Sequence, residues 1–421
     1  MGEPADRNKM VEALRLTRAG RLTEATALLL NLPRVAPSER SRARDARQTV
    51  IRRGLGSVDM SAQAIDEACR TARSSVGELA ADPGWRAKSA PPPDMTNGPR
   101  LWFDRLKSRS GIGSVPPLRV PSFEVVPGGA RFVEGAYRNA AGSRVYKLFI
   151  PSRYQGQALP LVVMLHGCTQ SADDFAAGTR MNLIAEEQNF FVVYPEQSNE
   201  ANPAKCWNWF RPDDQQRGRG EPLLIAGITR EVMREYSIDP QRVYVGGLSA
   251  GGAAAAVMGA AYPDLYAAVG VHSGLACGVA NDLPSAFTLM RQGEWPGSAG
   301  WEQVSQIADR GPAVPTIVFH GDCDTKVHPR NGAHVIAQSK AGAVLQETVH
   351  HGRASAGHAF TRTVHTEPGG RVMFEHWEIH GAGHAWSGGS AEGSHTDPQG
   401  PDATREMLRF FLGHQLTGNP S

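Results

Sequence analysis

From residue 122 onward the chain repeats one pattern, a short apolar run followed by a helical stretch. The runs are Leu161–Leu165, Phe190–Tyr194, Val243–Val245, Ala267–Val271 and Val314–Phe319. Each is only a few residues long and apolar at successive positions, so it reads as a strand buried on both faces rather than one facing water. Helical periodicity fills 174–188, 222–236 and 250–262 between them. Parallel neighbours need a crossover of about a dozen residues, and a helix supplies it. The pattern therefore predicts an α/β fold, a mostly parallel sheet with helices on both faces. Ahead of it, Arg131–Tyr137 and Arg144–Ile150 alternate as a hairpin around Asn139–Gly142. A late strand over Arg371–Ile379 and a helix over Pro401–Leu412 complete the region. In such sheets the chemistry collects beyond the carboxyl ends of the strands.

The first quarter of the chain differs in kind. Up to residue 110 it holds 20 Lys and Arg against 13 Asp and Glu, whereas the remainder holds 24 against 29. Residues 9–31 and 59–80 have helical spacing, and Pro, Gly and Ser dominate from about 81 to 122. The reading is a basic helical extension over 1–85, a Pro/Gly-rich linker over 86–118 and a catalytic domain over 119–415. An Arg-rich helical surface is more often solvated than bound to nucleic acid, so no nucleic-acid partner is expected. No run approaches the length of a membrane span. The start, MGEPADRNKM, is polar and no apolar stretch follows it, which makes a cytoplasmic location the expectation. Five scattered cysteines without a CxxC do not make a disulfide scaffold.

The strand over 243–245 runs into Gly247-Leu-Ser249-Ala-Gly251 and then an Ala-rich helix. A serine on so sharp a turn needs minimal side chains two residues before and after it, because strand and helix meet there. The following helix N-terminus points free N–H groups at charge developing on an attacked carbonyl. Ser249 is thus the candidate nucleophile. The segment has neither the spacing of a dinucleotide loop nor the Lys of a phosphate loop.

An acid and then a base should follow in chain order. Asp324, in His320-Gly-Asp-Cys-Asp324, is the candidate acid, with Asp322 as competitor, expected to bond its own turn. His384, in His380-Gly-Ala-Gly-His384, is the candidate base. The spacing of His376, His380 and His384 would suit a metal on a helix, but a strand and a Gly-rich loop replace the helix, so no metal is expected. His358 precedes the last strand and is the weaker base candidate. Oxyanion donors are expected from the backbone N–H of Ala250 and of Cys168, in the loop after Leu165.

Taken together, HGCTQSADDFAAGTRMN, VVYPEQ, KCWNWF, GLSAGGA, HGDCDTKVHPRNG and HGAGHAWSGG resemble the poly(3-hydroxybutyrate) depolymerase family, which is related to feruloyl and acetylxylan esterases. The resemblance spans about residues 120–413. It implies an α/β-hydrolase fold and a serine ester hydrolase without a cofactor, acting through Ser249, Asp324 and His384. It also implies an oxyanion hole at Cys168 and Ala250. It favours a substrate cleft that takes in His166, Gln170, Trp207, Asn208, Trp209 and Trp386. Expected substrates are 3-hydroxybutyrate polymer, its oligomers or short-chain esters, with the surface of a polyester granule as a further partner. A feruloyl or acetylxylan esterase is the second reading, and a granule-binding protein with a degenerate hydrolase domain the third. Secreted members make an extracellular location the alternative. Cys168 and Cys206 could be bridged, though in the cytoplasm a free pair is expected.

Overall fold

A computed structural model describes residues 127–294, 313–340, 343–355 and 357–416. The expected helical extension over 1–85 and linker over 86–118 lie outside the described residues.

Among the described residues ten strands form one sheet. They are β1 (Arg131–Asn139), β2 (Gly142–Ile150), β3 (Leu159–Leu165), β4 (Phe191–Pro195), β5 (Ile238–Leu248), β6 (Ala268–His272), β7 (Thr316–Gly321), β8 (Gln346–Arg353), β9 (Ala359–Thr366) and β10 (Val372–Ile379). Their order is β1-β2-β4-β3-β5-β6-β7-β10-β9-β8. The six from β4 through β10 in that order run parallel, and antiparallel strands flank them at both edges. The first hairpin pairs as expected, with Asn139 opposite Gly142. A second sheet consists of β11 (Trp386–Ser387) and β12 (Thr396–Asp397).

Seven helices among the described residues cover the sheet: α1 (Ala172–Thr179), α2 (Met181–Gln188), α3 (Gly220–Glu235), α4 (Ala250–Ala261), α5 (Leu283–Gln292), α6 (Arg330–Ser339) and α7 (Ala403–Leu412). The pleat sorts β3 between two cores. Leu161, Val163 and Leu165 pack with α3 and α4, while Val162 and Met164 face α1, α2 and α7. Burial on both faces is why these strands read as unbroken apolar runs.

One expectation needed correction, and one hairpin was missed. The helix expected over 174–188 is two helices, because Arg180 takes a left-handed conformation (φ 55°) and its N–H closes on Ala176 O. Each half keeps its apolar residues on the same core, so the periodicity runs on across the break. The hairpin of β8 and β9 gave no alternation signal, because β8 is exposed along almost its whole length.

Candidate active site

In register, Leu248, His272, Phe319–Gly321 and Ile379 end four neighbouring parallel strands at the carboxyl end of the sheet. Ser249 follows β5, the loop with Asp324 follows β7, and the loop with His384 follows β10. Ser249 sits at φ 58° and ψ −118°, a backbone that L-residues rarely adopt and that costs about 1–3 kcal/mol. It is tied in place by its N–H to His272 O (2.8 Å) and by Ala253 N–H to its own carbonyl (2.9 Å). The glycines two residues away are required by contact. A Cβ on Gly251 would collide with the carbonyl oxygens of Leu165 and His166, and one on Gly247 with the Gly251 backbone and Leu165 O.

His384 Nδ1 lies 2.6 Å from Asp324 Oδ2. The other carboxylate oxygen accepts N–H bonds from Lys326 (2.8 Å) and Val327 (2.9 Å). His320, almost fully buried, places Nε2 at 2.9 Å from Val327 O and 3.4 Å from Asp324 Oδ2. Burial by itself would raise Asp324, but the hydrogen bonds from His320 and His384 outweigh it and hold the carboxyl well below the usual range. Beneath these loops His272 stacks on Trp386 at 5.0 Å and accepts Ser387 N–H at Nε2 (3.0 Å). Burial, reinforced by the nearby His320 and His384, drives His272 down to about 3.

The competing residues are engaged elsewhere. Asp322 does not close its own turn. Its carboxylate crosses to His380 Nδ1 (2.9 Å) and Gly381 N–H (2.7 Å), and His380 Nε2 meets Thr361 Oγ1 at 2.8 Å. His358 pairs with Asp397 (3.0 Å) and its Nδ1 lies 2.9 Å from His380 O. His376 is buried within β10. The three evenly spaced histidines thus go to three different places, and the described residues hold no cluster of three or more metal-ligating side chains.

The loop after β3 lies against the nucleophile. A Cβ on Gly167 would stand 3.6 Å from Ser249 Cβ. Gly167 N–H bonds Gln170 Oε1 (2.9 Å) and Thr169 N–H bonds Ala204 O (2.7 Å). Cys168, between them, is disulfide-bonded to Cys206, which replaces the expected free pair.

The expected substrate contacts need correction, since a side chain without accessible surface cannot touch a ligand. Trp207 and Trp386 have no exposure, and their indole N–H groups are spent on His166 O (3.1 Å) and Thr404 Oγ1 (2.9 Å). His166 is buried, with Nδ1 at 2.7 Å from Gly167 O and Nε2 accepting Gln197 N–H at 3.0 Å. Burial pushes its basicity down. Asn208 is held by the buried carboxylate of Glu221 through its backbone N–H (2.7 Å) and its amide (2.8 Å). Gln170 is buried and bonded on both sides of its amide. Trp209 is also buried and packs edge-on against the less buried Phe210. These six side chains are buried, and the polar groups named are bonded within the protein. The sequence reading missed His272 and His320. The only signal for His320 was its place directly after the apolar pair Val318-Phe319 of β7, inside the motif that carries Asp324.

Comparison with known proteins finds similarity to esterases. Residues 144–356 match the family described as Esterase PHB depolymerase. Poly(3-hydroxyalkanoate) depolymerase C of Paucimonas lemoignei is 35% identical over 238 residues, 56% of each chain. Feruloyl esterase B of Thermothelomyces thermophilus is 30% identical over 190 residues, 42% of this chain and 64% of that one. The chain thus spans between half and two thirds of the length of these curated relatives. The solved acetyl xylan esterase from Aspergillus awamori superimposes with a TM-score of 0.51 at 19% identity, covering 68% of this chain and all of that one. That likeness concerns the fold, which is the α/β-hydrolase fold. On the span of the family match, half of the sequence, this chain belongs to the esterase PHB depolymerase family.

Proposed function

We propose that the protein hydrolyses carboxylic esters through an acyl-enzyme formed on Ser249. The observation that carries this reading is the His384–Asp324 pair at 2.6 Å, which follows β10 and β7 at the same carboxyl end of the sheet as the strained turn of Ser249 after β5. His384 takes the Ser249 proton as Oγ attacks the ester carbonyl, and Asp324 orients the imidazole and stabilises its charge. The Cys168 and Ala250 N–H groups receive the oxyanion, each lowering the barrier by about 3 kcal/mol. The alcohol leaves with the proton from His384. Water, deprotonated by His384, then attacks the acyl carbon, and the acid departs as Ser249 regains its proton.

The preferred substrates are 3-hydroxybutyrate oligomers or polymer, on the strength of the family match and the 35% identical depolymerase. Feruloyl or acetylated polysaccharide esters are the second reading, favoured by the 30% identical feruloyl esterase. One panel separates them: hydroxybutyrate trimer, methyl ferulate, p-nitrophenyl esters of rising chain length and amorphous polyhydroxybutyrate granules. The wild type should cleave the trimer faster than the ferulate, and Ser249→Ala should lose about 10⁴-fold or more in kcat while staying folded. A folded Ser249→Ala retaining a tenth of the activity would remove Ser249 from its role. If the basic residues before 110 hold the protein on a granule, retention on the granules should weaken as salt rises.

We also infer that the protein works in an oxidising compartment rather than the cytoplasm, since the Cys168–Cys206 bond would be reduced there. No described helix is long and apolar enough to cross a membrane. Alkylation of the protein from its own source should find both sulfurs blocked, and two free thiols would reject the inference.

A further inference from the structure

One buried amide joins the loop that approaches Ser249 to the segment that follows His384. Gln170 is 2% exposed, and every polar atom of its side chain is in use. Oε1 accepts Gly167 N–H at 2.9 Å. Nε2 donates to Asp174 Oδ2 at 2.9 Å and to Ser394 O at 3.1 Å, with Ser394 Oγ at 3.3 Å. Asp174, on α1, in turn accepts Ser394 N–H at 2.8 Å and Ser394 Oγ–H at 2.6 Å. The Asp174 and Ser394 groups are 220 residues apart in sequence, so the contact exists only in the folded protein.

The consequence falls on Cys168. Gly167 is fixed by the Gln170 amide, Cys168 by its bond to Cys206, and Thr169 by its N–H to Ala204 O. Three successive residues are therefore each anchored, at two separate parts of the protein. Two of those anchors reach the 204–206 loop, while the Gln170 side chain ties the near end of the turn to α1 and to Ser394, beside the bonds that Gly167 O makes with Gln170 N–H (3.3 Å) and His166 Nδ1 (2.7 Å). The near end is also the part against the nucleophile, since a Cβ on Gly167 would lie 3.0 Å from Gln170 Oε1 and 3.6 Å from Ser249 Cβ.

We propose that Gln170 is a positioning residue, whose amide bridge from Gly167 to Asp174 and Ser394 holds the Cys168 N–H in place for the oxyanion. This rests on the hydrolase reading above. The amide is suited to the task because it accepts on one side and donates on the other. A carboxylate in its place would keep the Gly167 bond but set its second oxygen against both Asp174 Oδ2 and Ser394 O. A hydrocarbon would leave the Gly167 N–H without its acceptor. A turn fixed this way needs no rearrangement when negative charge develops.

The test uses the full chain as Gln170→Glu, Gln170→Met, Asp174→Asn and the double variant Gln170→Glu/Asp174→Asn. In the double variant the Asn amide can donate to the new carboxylate, restoring the bridge with its polarity reversed. Sites are counted with a fluorophosphonate that labels Ser249, so that unfolded protein does not enter kcat. Gln170→Glu and Gln170→Met should lower kcat on a p-nitrophenyl ester by about 10²-fold, with KM changed by less than about threefold. The Ki of an alkylboronic acid, which forms a tetrahedral adduct, should rise in proportion, while that of the product acid stays put. The acid limb of the pH profile should not move, and the double variant should recover about tenfold over Gln170→Glu. A kcat per labelled site within about threefold of wild type in both Gln170→Glu and Gln170→Met would overturn the proposal. So would a shifted acid limb, which would place the effect on His384 instead. Wild-type protein that the fluorophosphonate does not label would sink the hydrolase reading, a result distinguishable from either.

Discussion

Two carboxylates two residues apart, Asp322 and Asp324, each hold a histidine from the loop after β10. Burial separates them. The Asp324 side chain is wholly buried and that of His384 14% exposed, against 35% and 42% for Asp322 and His380. A charge pair screened by water contributes little, whereas a buried carboxylate with several donors fixes an imidazole and its tautomer. Asp324→Asn and His384→Ala should therefore each cut kcat by about 10⁴-fold. Asp322→Asn and His358→Ala should change stability by about 1 kcal/mol and leave kcat within about tenfold. Kinetics on folded variants check this, and the opposite ranking within either pair would reassign that role.

At the scale of elements, the turn from β5 into α4 depends on how closely three backbones meet. Gly251 in α4 lies against the carbonyls that end β3, and a Cβ at Gly252 would sit 3.0 Å from both Gly247 O and His272 O. These neighbours are backbone in the middle of a sheet and cannot yield as a flexible side chain would. Gly251→Ala should cost about 3 kcal/mol or more by overpacking, read as a lowered denaturation midpoint together with lost activity. A variant of wild-type stability and rate would show that the strand and helix have room to part. The sequence carried this constraint because close approach demands a residue type. It was silent on the β8–β9 hairpin, whose exposed strand needs no apolar alternation, and on the break at Arg180, where the apolar stripe continues through the kink.

For the molecule as a whole, buried histidines set the response to acid. Burial lowers His272 and His376 from 6.5 to about 3, aided by neighbouring histidines, and lowers His334 to about 4 with help from Arg330. In this window the unfolded chain binds protons that the folded one refuses. The stability these groups contribute is fully present above 6.5 and is lost progressively as pH falls toward 3. Asp324 and Glu375 have depressed folded values, so their contribution is kept above the ordinary carboxylate range and lost below it. For Glu375 burial acts the other way, and Arg362 and Arg409 outweigh it. Urea unfolding from pH 7 to pH 4 should show stability falling with acid, and His376→Leu should reduce the slope by about 1.4 kcal/mol per pH unit. An unchanged slope would mean that His376 is protonated as readily in the folded protein as in the unfolded chain.

Sequence by itself determined the covered parallel sheet, because a strand buried on both faces must be apolar throughout, as Leu161–Leu165 is. It also singled out the glycine-flanked turn at Ser249, where sterics leave no other residue type. It placed Asp324 and His384 after β7 and β10, neighbouring strands that end on the same side of the sheet as β5, since order along the chain and position at a strand end are both local properties. Tertiary structure alone decided which polar residues of these motifs are buried and which stay accessible. Nothing local distinguishes Gln170, His166 or Trp386 in a motif from a ligand contact. Each is taken out of solvent by partners far away in sequence, Ser394, Gln197 and Thr404, and burial is a property of the assembled fold.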